Sequence, residues 1–283
     1  MISIIICTRE NFISEVLTKN IKDTIGYLYE LIVIDNSKCN YSIFEAYNIG
    51  IEKSQGKYWC FIHDDVFFHN QGWGKVLINI FEEESKIGVI GIAGAKMKSK
   101  IPSAWWDCPE EFKVINLLQH TKEGKIEHWY QGWQENKKEQ VIVIDGVFMA
   151  VRRIDDFCFS NIFEGFHNYD LNLCFEYLKR NYIVVVTKDI IIEHFSIGNL
   201  NKDWLKSTMI LHKNYDFFLP LSIKKIDGIK CEIFAGKKWV DSCIRIEGRK
   251  KIHKYILFLF SLRVFSKIQL NLLKYSIKRV LKK

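Results

Sequence analysis

The chain opens on a run of almost purely apolar, largely β-branched residues, Ile2 to Cys7, bounded by polar Thr8-Arg9-Glu10. A run this short and this apolar predicts a strand buried on both faces. Leu31 to Asp35 (LIVID) repeats the pattern, Tyr58 to Ile62 is a third such run, and Gly88 to Ala93 a fourth. Helix-length segments separate them. One lies roughly at Asn11 to Ile21; a second opens at Ser42-Ile43-Phe44-Glu45, whose spacing is that of a capping box, and runs toward Ser54; a third covers roughly Trp73 to Glu84. Strands alternating with helices in this way predict an α/β domain with a parallel, doubly wound sheet covered on both faces.

Ligands of such sheets bind beyond the carboxyl ends of the strands. Here those ends carry Thr8-Arg9, then Asp35-Asn36, then His63-Asp64-Asp65. Three successive strands therefore bring polar clusters to one edge. After Ala93 the alternation breaks. Residues 94–139 read as loop and are rich in aromatics, among them Trp105-Trp106, Trp129, Tyr130 and Trp133. Strands resume at Val141 to Asp145 and Val147 to Arg152. Gly165-Phe166-His167-Asn168-Tyr169-Asp170 then leads into a helix to about Arg180, and strands at Ile183 to Val186 and Ile190 to Glu193 end beside His194.

Charge changes the picture at the carboxyl end. Residues 221–283 hold 17 Lys+Arg against 4 Asp+Glu, a net of +13, while the other 220 residues carry −5. No acidic residue occurs from Lys250 to Lys283. Helical spacing there puts Lys267, Asn271, Lys274, Lys278 and Lys282 on one face and Leu270, Leu273, Ile277 and Val280/Leu281 on another. This basic amphipathic helix suits anionic lipid, and equally a packed face against its own domain or a second subunit, so an oligomer stays open. Nucleic acid is not expected, since no recognition module accompanies the charge. The amino terminus lacks the basic lead of a secretory signal, and no apolar stretch approaches the roughly 20 residues of a membrane span. The eight cysteines form no C-x-x-C pair. The expectation is a cytoplasmic chain, either free or peripheral on the inner face of the plasma membrane through residues 250–283, with residues 1–220 as the main domain and 221–283 as an extension.

Taken in order, SIIICTR, LIVIDNS, AYNIG, FIHDDV, IDGVFMAVRR, GFHNYDLNLC and IIEHFSIG resemble the inverting family 2 glycosyltransferases of GT-A fold. The subgroup is the bacterial glycosyltransferase-like one, in which an H-D-D triplet replaces D-x-D. The resemblance covers about residues 2–220. It implies transfer of a sugar from a nucleotide-diphosphate donor, with UDP favoured, to a hydroxyl of a glycan or lipid-linked acceptor in bacterial surface glycan synthesis. It also implies a divalent metal, Mn or Mg, at Asp65, with Asp64 on the donor ribose or a metal-bound water. Thr8, Arg9 and Asp35 are then contacts to the nucleotide base and phosphates, and Asp145 a contact to a sugar hydroxyl. Asp170 stands where relatives place the acidic residue that takes the proton from the attacking hydroxyl. The usual Glu-Asp pair is Tyr169-Asp170 here, which leaves Glu164 or His167 as other candidates for the base.

The residue types fit that chemistry. A departing diphosphate gathers negative charge that a Lewis acid neutralises, and carboxylates are oxygen ligands for hard cations. His194, just past a strand expected to run near the triplet, completes a metal shell, and an imidazole among carboxylates favours Mn²⁺ over Ca²⁺. Plainer readings remain beside each residue. Asp64-Asp65 suits a solvated turn, His194 a structural histidine, Thr8, Arg9 and Asp35 loop capping, Asp145 a tight turn, Asp170 a helix N-cap, and Trp105-Trp106 a core as readily as a sugar platform. A nucleotidyltransferase of related fold is a second activity, though no Gly-rich, Lys-bearing phosphate loop follows the first strand. A nucleotide-sugar-binding module without catalysis is the third possibility, separated from an enzyme by turnover.

Overall fold

The protein is described by a computed structural model covering residues 1–223, 227–262 and 266–281. The first half alternates strands and helices: β1 (Ile2–Thr8), α1 (Glu15–Thr24), β2 (Tyr29–Asp35), α2 (Ile43–Lys53), β3 (Tyr58–Ile62), β4 (Val66–Phe68), α3 (Trp73–Glu83) and β5 (Ile87–Gly91). Ser42 caps α2 with both arms of the capping box, as its spacing predicts. The first helix starts later than its apolar period suggests, because Ser14 takes the N-cap and accepts from the Val16 N–H.

A chain of short strands follows: β6 (Ala93–Ala95), β7 (Met97–Lys98), β8 (Lys113–His120), β9 (Ile126–Gln131), β10 (Lys138–Val141), β11 (Val143–Ile144) and β12 (Phe148–Arg152). Helix α4 (Tyr169–Lys179), β13 (Ile183–Thr187), β14 (Ile192–His194), α5 (Lys202–Asn214) and β15 (Leu221–Ser222) complete the domain. The seven-stranded main sheet has the order β10-β13-β5-β12-β3-β1-β2. It is mainly parallel, but β12 runs antiparallel between β3 and β5, and β10 antiparallel on β13.

The expectation of a loop over residues 94–139 does not hold. Strands β6 and β8 belong to a second sheet, β11-β6-β8-β14-β4, and β9 pairs with β8. In β9 nearly every side chain is exposed, so it shows no alternation of polar and apolar residues to read. Three of its strands, β4, β6 and β14, follow directly on the carboxyl ends of β3, β5 and β13, so their pairing decides which side chains meet there.

Past Ser222 the chain is helical where described: α6 (Gly228–Glu247), α7 (Ile252–Ser261) and α8 (Ser266–Leu281). Trp204 and Leu205 of α5, Trp239 and Val240 of α6, Ile256 of α7 and Leu272 of α8 form a second core, joined by Ile101 and Ala104 from the loop after β7. Gly236 lets α8 come close, since a Cβ there would stand 2.5 Å from the Leu272 methyl carbon. The buried face of α8 is Ile268, Leu272 and Ser276, while Leu270, Ile277 and Leu281 are exposed. Lys267, Asn271, Lys274 and Lys278 are exposed as well, and Lys282 lies outside the described residues.

Candidate functional site

The site begins where β3 ends. Beyond Ile62 the chain bends through His63, Asp64 and Asp65 before β4. Strand β14 pairs antiparallel with β4, His194 opposite Val66, and the Phe195 N–H donates to the Asp65 carbonyl (3.1 Å). That ladder brings together two residues 129 positions apart in sequence. His194 Nε2 stands 3.6 Å from Asp65 Oδ1, His63 Nδ1 is 3.7 Å from the same oxygen, and the two imidazoles approach to 3.3 Å. The ligand atoms of His63, Asp65 and His194 all lie within 4.8 Å of one another. The expected pair of Asp65 and His194 thus meets, with His63 as a third member. The sequence by itself assigns His63 no role; the bend between β3 and β4 sets it beside Asp65.

The surroundings leave this trio with atoms that could hold a cation. Strand β14 also pairs with β8, His194 level with Gln119. The Gln119 amide nitrogen donates to the carbonyls of His120, His194 and Ser196, so its oxygen is the acceptor facing His194 Nδ1 (2.9 Å). His194 therefore carries its proton on Nδ1 and turns the Nε2 lone pair toward Asp65, the arrangement typical of a ligating histidine. His63 Nε2 meets the Tyr169 hydroxyl at 2.6 Å, which frees Nδ1 on the Asp65 side. Burial and then the neighbouring His194 push the His63 pKa down, keeping its lone pair available. Burial works against ionisation of Asp65, but its side-chain contacts with His194 and Ser196 outweigh it and hold its carboxyl at about 2. Two imidazoles and one ionised carboxylate suit Mn²⁺ or a neighbouring first-row ion better than Ca²⁺.

Around the trio, Gly146 packs under Tyr169: a Cβ there would fall 2.4 Å from the Tyr169 hydroxyl. Beside it, Asp145 accepts from the Val147 N–H (2.8 Å) through one oxygen and from the Trp105 indole N–H (2.7 Å) through the other. The turn expected at Asp145-Gly146 is therefore present, and Trp105 is a buried partner of that turn. Trp106 stands edge-on to it, ring centroids 5.5 Å apart, and is 38% exposed.

Asp170 is not the N-cap of α4. Asn168 holds that position in a left-handed conformation and spends its amide on Ser207 and Thr208. Asp170 is the second residue of α4, in its first turn, half-buried, with one oxygen accepting from the Leu171 N–H (2.8 Å). Burial and then the nearby charge of Asp145 raise its pKa to about 7, with Lys98 opposing. Glu164 is exposed, and His167 is turned toward Asn201 and Asp203.

On the other flank, β1 and β2 are in parallel register, Thr8 level with Asp35. Asp35 is exposed at the strand end and accepts from the Ser37 N–H (2.9 Å). Thr8 is buried and its hydroxyl accepts from the Glu10 N–H (3.1 Å), which leaves Arg9 exposed at the edge. Asn36 is a turn former, bracketing the Tyr41 backbone with both ends of its amide. Asp64 is half-buried near Cys7 and Tyr47.

A family model described as "Glycosyltransferase like family" matches residues 3–215. No curated protein sequence matches the chain. Among solved structures, GalNAc-T7 with UDP, GalNAc and Mn²⁺ superposes with a TM-score of 0.53 at 9% identity, covering 76% of this chain and 50% of that one. S. aureus TarS 1–349 in complex with UDP-GlcNAc superposes with a TM-score of 0.51 at 12% identity, covering 99% of this chain and 81% of that one. This chain therefore spans half the length of the first and most of the second, and the fold they share is GT-A.

Proposed function

The chain belongs to the glycosyltransferase-like family, and we propose that it is an inverting, metal-dependent transferase. It moves a sugar from a UDP-type donor to a hydroxyl of a bacterial surface glycan or of its lipid-linked precursor. The observation that carries this reading is the meeting of His63, Asp65 and His194 at the carboxyl edge of the sheet. A Mn²⁺ ion held there would neutralise the departing diphosphate as a Lewis acid, a role Mg²⁺ fills less well with two imidazole ligands. Thr8, Arg9 and Asp35 line the flank where the nucleotide belongs, with Asp35 able to accept an imide N–H of uracil. Asp64 is assigned to the ribose and Asp145 to a sugar hydroxyl, accepted alongside the Trp105 indole. Asp170, poised near neutrality, takes the proton of the attacking hydroxyl, which displaces the diphosphate from the opposite face in one step. UDP-containing complexes of the two superposed structures support the choice of nucleotide.

Incubating the full chain with a panel of UDP-sugars, with and without Mn²⁺, tests the proposal through UDP release. Release from at least one donor is expected, dependent on the metal and stopped by chelation. Metal-independent release, or tight UDP binding with no turnover of any donor, would refute it; the second result would instead indicate a binding module.

No helix among the described residues is long and apolar enough to cross a membrane. We propose that the chain reaches its acceptor peripherally. The apolar residues Leu270, Ile277 and Leu281 do not pack on the domain, and Leu257 and Phe260 of α7 are exposed as well. Lysines flank them with no acidic residue after Glu247. Because α7 and α8 share a core with α6, point changes are preferable to truncation. The double variant Ile277→Asp, Leu281→Asp should keep its melting temperature and lose binding to phosphatidylglycerol vesicles at low salt. Undiminished binding would reject the membrane role.

A further inference from the structure

We infer that the acceptor of this enzyme is an anionic glycan, read in a groove between Trp106, the start of α5 and the end of α6. The inference rests on the glycosyl-transfer reading of the adjacent cleft and adds the substrate class. The groove has a volume of about 850 Å³ and is lined by Trp106, Lys122, Asn201, Lys202, Asp203 and Arg245, among others. That volume accommodates a small saccharide.

Its position ties it to the reacting centre on two sides. Trp106 leans on Trp105, which is fixed to Asp145, and Asn201 faces His167, three residues before Asp170. Its walls come from three separate parts of the chain. Lys122 sits in the turn between β8 and β9, Lys202 opens α5, and Arg245 lies in the last turn of α6. All three are exposed, and no ion pair holds any of them among the described residues. The nearby acid Glu247 is engaged by Lys251 and Lys254 at 3.3 and 3.5 Å, so Asp203 is the acidic side chain that lines the groove against three cations. The amino end of α5, residues Asn201 to Asp203, lines the groove, and its dipole adds to the preference for a negative group.

Trp106 supplies the other half of the recognition. An indole with an accessible face is an apolar platform for the C–H side of a sugar ring, and its edge contact with Trp105 holds it in place. The loop that carries it is clamped from the C-terminal helices. Glu232 of α6 accepts from the backbone N–H groups of Lys100 (2.7 Å) and Ile101 (3.0 Å), Lys100 pairs with Asp216 (3.0 Å), and His212 meets the Lys100 carbonyl (2.9 Å). The helical extension thus builds one wall of the groove and steadies the other. A sugar ring on Trp106 with a phosphate or carboxylate reaching Lys122, Lys202 and Arg245 satisfies both features, whereas a neutral sugar leaves the cations without a partner.

Titrations of the full chain, saturated with UDP and Mn²⁺, against glucose 6-phosphate, glucuronate and glucose, followed through tryptophan indole NMR signals, test this. At least one anionic sugar should bind at least about tenfold more tightly than glucose, and which of the two is tighter tells phosphate from carboxylate. The triple variant Lys122→Gln, Lys202→Gln, Arg245→Gln should lose that preference and keep UDP binding, and Trp106→Ala should weaken all three sugars. Equal affinity for glucose and both anionic sugars, binding of none of them, or a preference that survives in the triple variant would overturn the inference. Failure of wild-type protein to bind UDP with Mn²⁺ would fall on the donor site instead, because the sugar titrations repeated without UDP report on the groove alone.

Discussion

Replacing Asp170 with asparagine should lower single-turnover sugar transfer by roughly 10²–10⁴-fold while UDP affinity stays unchanged. Asparagine has nearly the same size and still accepts from the Leu171 N–H, so the start of α4 is preserved. What disappears is a carboxylate raised to about 7 by burial and by Asp145. The sign of the pH dependence follows. A base is active when deprotonated, so wild-type kcat should rise with pH through about 7, and the residual rate of D170N should lose that rise. Stability runs the other way. A raised carboxyl pKa adds stability that is fully present below the ordinary carboxylate range and is lost as pH rises through about 7. D170N, always neutral there, should therefore gain in melting temperature relative to wild type between pH 5 and pH 8, by ~2 °C or more for a chain of this size. Transfer within about threefold of wild type, well short of the general-base range, would move the base to Glu164 or His167.

Asp65→Ala should abolish the stabilisation that UDP confers in the presence of Mn²⁺. Asp65 is the one anionic member of the trio, held ionised near 2, and both imidazoles lie within 4 Å of it. Without it two imidazoles and no carboxylate remain, a poor site for a hard cation. At 100 Kd of ligand the wild type gains about 2.7 kcal/mol from binding, and the variant should gain close to none. The control is the melting temperature without ligand. Asp65 packs no core, so the apo variant should stay folded, and an unchanged Mn²⁺-dependent shift in it would refute the metal assignment.

The strand-and-helix framework could be read because buried parallel strands are short β-branched runs, and because caps such as Ser42 have a local spacing. The polar strand ends followed from the same rule, which is why Thr8, Asp35 and Asp65 were found at one edge. What sequence could not give was pairing across distance. Nothing local to His194 says that β14 lies against β4, or that Gln119, in a stretch read as loop, sits level with it and fixes its tautomer. The antiparallel β12 has the same cause, since an apolar run such as FMAVR does not state its direction. In α8 the helical period sets the lysines apart from Leu270, Ile277 and Leu281, yet the face that is buried is a third one, Ile268, Leu272 and Ser276, and Gly236 on α6 is what admits Leu272. The cations Lys122, Lys202 and Arg245, spread over three elements, converge only in the folded chain.

The most direct measurement is anomalous diffraction from crystals of the full chain soaked with UDP and Mn²⁺. The expected result is a manganese peak bonded to His63, Asp65 and His194, with the diphosphate on the same ion and the uracil beside Asp35. A manganese ion elsewhere, or UDP bound away from the carboxyl ends of β1, β2 and β3, would contradict the assignment.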